Sequence, residues 1–243
     1  MRTFLLLWIV IWTSRTSFAQ VVVSGLYSYN QPSVNTHSGY EVRTLLEGTT
    51  RDFSHLILQA ITLQANQPDQ STLQLEEEAT LIIKAGESTI YLGGKRKTMG
   101  PGSVVMLMPG DEFRIENKTA QPLTYFMIRF TSNEMPDLDL YSMVGGSFWI
   151  DRQEIASRKV LTYSTVMSHR IALQKNTLVS GSKNYEARRA AELLFVLDNP
   201  IQVSIGDVTK VAKAGDVIFL DSDVSHRINA GSQEDSTYLS FQF

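Results

Sequence analysis

Two stretches decide the fold: MGPGSVVMLMPGDEF, residues Met99–Phe113, and AKAGDVIFLDSDVSH, residues Ala212–His226. Each carries a Gly, a mostly apolar run, a short turn and then an aromatic or imidazole side chain. Gly102 matches Gly215 and Phe113 matches His226, both at a spacing of 113. The same spacing links Gly93 with Gly206 and Phe130 with Phe243, and LTYFMIRF (123–130) matches STYLSFQF (236–243). At a spacing of 114, Glu78 aligns with Glu192 and His55 with His169. One single-residue indel reconciles the two sets. The chain therefore reads as two copies of one unit of about 110 residues, a common domain size.

That unit is all-β. Ser88–Leu92 and Lys95–Met99 flank Gly93-Gly94, and Ile201–Ile205 and Val208–Val211 flank Gly206-Asp207. Two-residue Gly turns between alternating segments are strong hairpin signals. Tyr185–Leu197 holds enough Ala, Glu and Leu to suggest a helix, but Leu193–Leu197 reads as a buried strand.

A family resemblance follows from these strings. Gly102–Asn117, with Pro109-Gly110, resembles the second motif of the cupins. That motif runs Gly, five residues, Pro, any, Gly, two residues, His, three residues, Asn. Here six residues precede Pro109, and Gly110 follows it directly. Gly215–Asn229 resembles the motif too, with His226 in place but without the Pro and the second Gly. The segments from Thr72 and Glu186 stand where the first motif, His-any-His, three or four residues, Glu, belongs. The resemblance covers most of residues 45–130 and 160–243. It implies two tandem cupin barrels, that is, jelly rolls or double-stranded β-helices. The expected domains are 20–135 and 136–243, joined where polar, Pro and Gly residues cluster between Thr131 and Gly146.

The resemblance also implies a divalent metal held by three His and one Glu. The chain has only four His, namely His37, His55, His169 and His226, and no two are separated by one residue. In the first barrel the ligand positions are read as Thr72, Gln74, Glu78 and Phe113, and Phe113 has no lone pair to give. In the second they are Glu186, Arg188, Glu192 and His226. The first three share strand parity and so face one side, the barrel interior. Two readings stay open. Arg188 replaces the metal, its cation hydrogen-bonding two carboxylates. Alternatively Glu186, Glu192 and His226 bind one divalent ion such as manganese, iron or zinc, while Arg188 meets a substrate carboxylate. A fixed cation beside a dication costs Coulomb energy, which favours the first. Among bicupins, the ureidoglycine aminohydrolases use a Glu as first ligand, matched by Glu186, but Arg188, Glu192 and His226 depart from their His, His and Gln.

Composition narrows the function classes. A net charge of -3 gives no phosphate-neutralising surface, so no nucleic-acid partner is expected. Without cysteine there is neither a disulfide framework nor a thiolate site. Residues 1–19 read as a cleaved secretory signal: Arg2, an apolar run Phe4–Trp12, and Ser17-Phe18-Ala19 before the cut. The run is too short to span about 30 Å of bilayer, so no membrane association is expected after cleavage. Export without disulfides points to a bacterial periplasm.

The remaining candidates read as structural. His37 belongs to a solvated loop, and His55 and His169 open equivalent strands as packing or turn residues. Within Glu76-Glu77-Glu78 only Glu78 turns inward. Lys95-Arg96-Lys97 keeps an exposed strand soluble, and Trp149 begins the second repeat and packs between domains. The sequence thus leads to an exported bicupin that binds a small molecule in the C-terminal barrel, a sugar acid or another carboxylate, without the usual metal. A metal-dependent hydrolase, lyase or isomerase in that barrel is the alternative, and whether the chain is an enzyme stays open. A bicupin mimics a cupin dimer within one chain, so a monomer or a homodimer is expected.

Overall fold

Alternation along Glu78–Ala85 shows how the molecule is layered. Ala79, Leu81 and Ile83 enter one apolar cluster, while Ile82 enters another on the opposite side of the strand. A sheet with two buried faces needs a partner layer on each. The computed structural model describes residues 20–243, except 31–32, 67–71, 138, 140–142, 144, 159, 167–170, 182 and 188–189, and only the backbone of 183–187. The signal expected in residues 1–19, and His169, lie outside the described residues.

The first half supplies β1 (Gly25–Tyr27), β2 (Asn35–His37), β3 (Tyr40–Gly48), β4 (Phe53–Leu63) and β5 (Leu73–Gln74). There follow β6 (Glu78–Ala85), β7 (Ser88–Leu92), β8 (Lys95–Met99), β9 (Val104–Leu107), β10 (Glu112–Glu116) and β11 (Leu123–Ser132). Past the linker come β12 (Phe148–Ile150), the short helix α1 (Arg152–Ser157), β13 (Leu161–Tyr163), β14 (Ile171–Leu178) and β15 (Lys183–Ala187). The chain ends through β16 (Glu192–Val196), β17 (Ile201–Ile205), β18 (Val208–Ala212), β19 (Val217–Leu220), β20 (Ser225–Ala230) and β21 (Ser236–Gln242). Asp151 caps α1 by accepting from the Gln153 backbone N–H at 3.3 Å. No helix among the described residues is long and apolar enough to cross a membrane.

These strands make two jelly rolls, each a large sheet facing a four-stranded one. The first pairs β12-β9-β6-β11-β4-β3-β2 with β5-β10-β7-β8; the second pairs β1-β19-β16-β21-β14-β13 with β15-β20-β17-β18. Both expected hairpins form. Gly93 and Gly94 have φ of 51° and 75°, the left-handed pair that a tight two-residue turn requires. The strand expected at 193–197 is β16.

The halves exchange a strand. β1, from the start of the chain, pairs with β19 of the second barrel, Tyr27 opposite Val217. β12 pairs with β9 of the first barrel, Ile150 opposite Val104. The anchors match as well. The Tyr29 backbone N–H donates to Asp216 Oδ1 at 2.9 Å, and that of Arg152 to Ser103 Oγ at 3.3 Å. Residues 25–27 and 148–150 thus cross the expected boundary. Trp149 does not pack between domains; it lies against the interior cluster of the first barrel.

The two large sheets lie face to face, and the main core is between them. Phe126 of the first meets Phe195 of the second with ring centroids 5.1 Å apart, and Phe243 lies 4.6 Å from Phe53 and 5.3 Å from Phe130. Phe195 is 1% exposed. Phe195→Ala should lower the free energy of unfolding by about 3–5 kcal/mol. Urea denaturation checks this, and a double-mutant cycle with Phe126→Ala should return a coupling of about 0.5–1.5 kcal/mol.

Candidate functional site

Strand pairing fixes the equivalence between the halves. Phe113 sits opposite Leu92 and Leu73; His226 sits opposite Ile205 and Glu186. Glu78 pairs with Phe130, as Ala191 bonds with Phe243 through the Phe243 N–H. From Leu73 onward the spacing is therefore 113 throughout, and Glu78 corresponds to Ala191, not to Glu192. In the earlier strands it is 115, because Ile57 opposite Arg129 matches Ala172 opposite Gln242. The single-residue indel and the spacing of 114 are corrected to a two-residue indel between these regions.

One residue of slip reverses every side chain. Glu78 is fully buried, but it shares its face with Ile82 and looks toward the core between the sheets, not into the first barrel. The true counterparts of Glu186, Arg188, Glu192 and His226 are Leu73, Leu75, Ala79 and Phe113, not Thr72, Gln74, Glu78 and Phe113. Phe113 is 1% exposed and packs in one cluster with Leu81 and Ile83. Four apolar side chains offer no electron pair, so the first barrel does not fit the metal that its fold implies.

In the second barrel the same positions carry ionisable groups. Glu192 alternates with Leu194 and Val196, and His226 with Ile228, all turned toward one interior cluster. Glu192 is 1% and His226 3% exposed. Ser240 Oγ donates to Glu192 Oε1, and Gln242 Nε2 donates to the same oxygen at 3.3 Å. Ser240 and Gln242 were not legible as site residues; their only signal is that they stand where Met127 and Arg129 stand in the first half. His226 Nδ1 lies 3.0 Å from the Val224 carbonyl. A carbonyl only accepts, so Nδ1 carries a proton and donates it to Val224. Two of the four expected residues thus share one interior. Glu186 is the backbone partner of His226, but its side chain and all of Arg188 lie outside the described residues. No three His, Asp or Glu among the described residues cluster as metal ligands.

Other candidates resolve differently from their sequence reading. His55 is a hydrogen-bonding residue: its Nδ1 is 3.0 Å from Glu77 Oε2, and Arg129 Nη1 is 3.3 Å from Glu77 Oε1. His37 is exposed on β2 and stacks on Tyr40 with centroids 4.7 Å apart. In the first barrel, burial pushes the Tyr125 hydroxyl far above its ordinary range, with a smaller contribution from Tyr40.

An open groove of about 1050 Å³ lies at the mouth of the first barrel, between the β7–β8 turn, the start of β10 and the linker. Tyr91, Gly93, Glu112, Arg114, Ser147 and Trp149 are among its walls. The linker is clamped there. Both the backbone N–H and the hydroxyl of Ser147 donate to Asp111 Oδ2 at 2.7 Å, and Ser147 Oγ accepts from Met108 N at 2.8 Å. Gly146 has φ 86°, and a Cβ there would sit 2.9 Å from Asp111 Oδ2. The groove was not legible in the sequence, since its walls come from three separate segments.

Comparison with known proteins fits this architecture. Residues 77–158, about a third of the chain, match the family described as AraC-like ligand binding domain. No curated protein matches. AerE from Microcystis aeruginosa is similar in structure at 13% identity and a TM-score of 0.65, over 89% of this chain and 97% of that one. A putative glyoxylate induced protein from Pseudomonas aeruginosa is similar at 16% identity and 0.61, over 86% and 84%. So is an oxalate decarboxylase from Bacillus subtilis, at 10% and 0.64, over 93% and 79%. Identities this low speak for the fold alone, and the fold is that of the cupin jelly rolls. The resemblance to the ureidoglycine aminohydrolases rests on Glu186 and gains no support.

The register correction has a direct test. Ala79→Glu should place an unpaired carboxylate inside an apolar barrel and destabilise the protein by at least about 2 kcal/mol at pH 7. Burial raises the folded-state pKa of such a group, so the cost is present above that pKa and vanishes below about pH 4, where both states are protonated. Thermal melts of the variant and the parent at pH 7 and pH 4 check the sign.

Proposed function

We propose that the chain is an exported, small-molecule-binding bicupin that holds a small carboxylate, such as a sugar acid, in its C-terminal barrel without metal catalysis. The observation that carries this is the buried pair Glu192 and His226, in the barrel whose sibling has Ala79 and Phe113 at the same positions. Buried ionisable groups are costly unless something satisfies them, and they cluster where ligands bind. The AraC-like match supports a small molecule as partner. Arg188 is assigned as the cation for the ligand carboxylate on sequence position alone, and Glu186 as a neighbour of His226 on backbone register. Residues 1–19 support export by their leader pattern, and the internal duplication supports a monomer.

A second reading, a metal-dependent hydrolase, lyase or isomerase, has one specific observation behind it. A metal-binding imidazole commonly donates its other N–H to a carbonyl, as the His226 ring does toward Val224. Glu186, Glu192 and His226 would then be the ligands of one manganese, iron or zinc ion.

Elemental analysis and calorimetry separate the two. The first reading expects no stoichiometric metal, binding of gluconate but not glucose, and loss of at least about tenfold in affinity in Arg188→Ala and His226→Phe. One tightly held manganese, iron or zinc per chain, lost in His226→Phe, establishes the second. Equal gluconate binding by the parent and both variants removes the C-terminal barrel as the site.

A further inference from the structure

Ahead of β1 a short segment runs beside the end of β3. Val21 and Val23 are exposed, while Val22 between them is buried in the core between the large sheets. The segment is tied on both sides of Val21. The Thr49 N–H donates to the Gln20 carbonyl at 2.8 Å, and the Val22 N–H donates to the Thr49 carbonyl at 2.8 Å. Gly48 makes room for it, since a Cβ there would overlap the Gln20 carbonyl oxygen. Ser24 Oγ then accepts from the Asp221 N–H at 2.8 Å, and the exchanged strand β1 begins one residue later. These contacts hold Gln20 by its carbonyl end or lie beyond it, and Gln20 itself is exposed.

Cleavage after Ala19, which belongs to the export proposed above, changes the chemistry of that exposed end. In the uncut chain the Gln20 nitrogen is part of an amide and is no nucleophile. Once cut, it is an α-amine, a group that is partly unprotonated near neutral pH. Attack on its own side-chain Cδ closes a five-membered ring, and holding both groups in one residue stands in for a high concentration of reactant. The α-nitrogen bonds to Cδ, the bond from Cδ to Nε2 breaks, and the proton shed by the α-nitrogen leaves with Nε2 as ammonia. No oxidant or co-reactant is consumed. The ring closes without moving the carbonyl, so the hydrogen bond from Thr49 is kept. We propose that residue 20 is a modification site, and that the exported chain ends there in a neutral pyroglutamyl lactam. The lactam removes the terminal charge and the free amine that aminopeptidases grip. It thereby guards Val22 and the exchanged strand β1 against trimming from the end of the chain.

The full chain, exported by a bacterial host and isolated from its periplasm, tests this through its intact mass, read without digestion. The expected mass is that of residues 20–243 less one ammonia. Stepwise sequencing from the amino end should be blocked, and should resume at Val21 once pyroglutamyl peptidase has acted on the unfolded chain. Gln20→Ala has no side-chain amide, so it should show its full mass and sequence freely into Val21 and Val22. A parent chain of residues 20–243 at full mass and open to sequencing overturns the lactam while leaving the cleavage in place. A chain that begins at any other residue overturns the cleavage after Ala19 and the lactam together. Blocked sequencing of Gln20→Ala assigns the block to another group and overturns the proposal too.

Discussion

Everything in this molecule is arranged around the contact between its two large sheets. Phe126 against Phe195, and Phe243 against Phe53 and Phe130, commit one face of each sheet to the other half. Only the opposite face is left for the barrel interior. Because a strand alternates faces at every residue, this contact sorts each strand into two sets with different fates. Ile82 and Leu193 serve the shared core, while Leu81 and Leu194 line separate barrels. The chemistry of each barrel is confined to what that sorting leaves available.

Much of this was legible in the sequence, and the limits have a physical cause. Gly93-Gly94 and Gly206-Asp207 announced their hairpins because positive φ is a local demand that few residues meet. The repeat was visible because Gly93, Gly102 and Phe130 recur at one spacing. The face of Glu78 was not. Two glutamates that each precede an apolar strand look equivalent, and only the partner across the sheet shows that one of them is displaced by a residue. His226 and Glu192, placed in one barrel by strand parity and motif position, are both buried facing one interior cluster. Trp149 was misread because a three-residue strand carries too little pattern to reveal which sheet it joins.

The two barrels, built on one plan, have diverged where a ligand would meet them. One fills its interior with Phe113 and Ala79 and bears an open groove at its mouth, beside the linker held by the Asp111–Ser147 clamp. The other kept Glu192 and His226 inside, supported by Ser240, Gln242 and the Val224 carbonyl. Duplication relieves each copy of the need to do what its sibling does, and the side chains divide along that line.

The exchanged strands also set the order in which the chain can be assembled. β9 has no partner on its outer side until residues 148–150 have been synthesised, so the first barrel waits for the linker to emerge. The second barrel must then recruit Gly25–Tyr27, made almost two hundred residues earlier, to complete β19. Closing so long a loop comes late, after local hairpins have formed, because its entropy must be met before its contacts are gained. Residues 25–27 therefore act as the final latch. A nascent chain pausing before residue 217 holds them as an unpaired segment, available to a chaperone or to a second copy of the same chain.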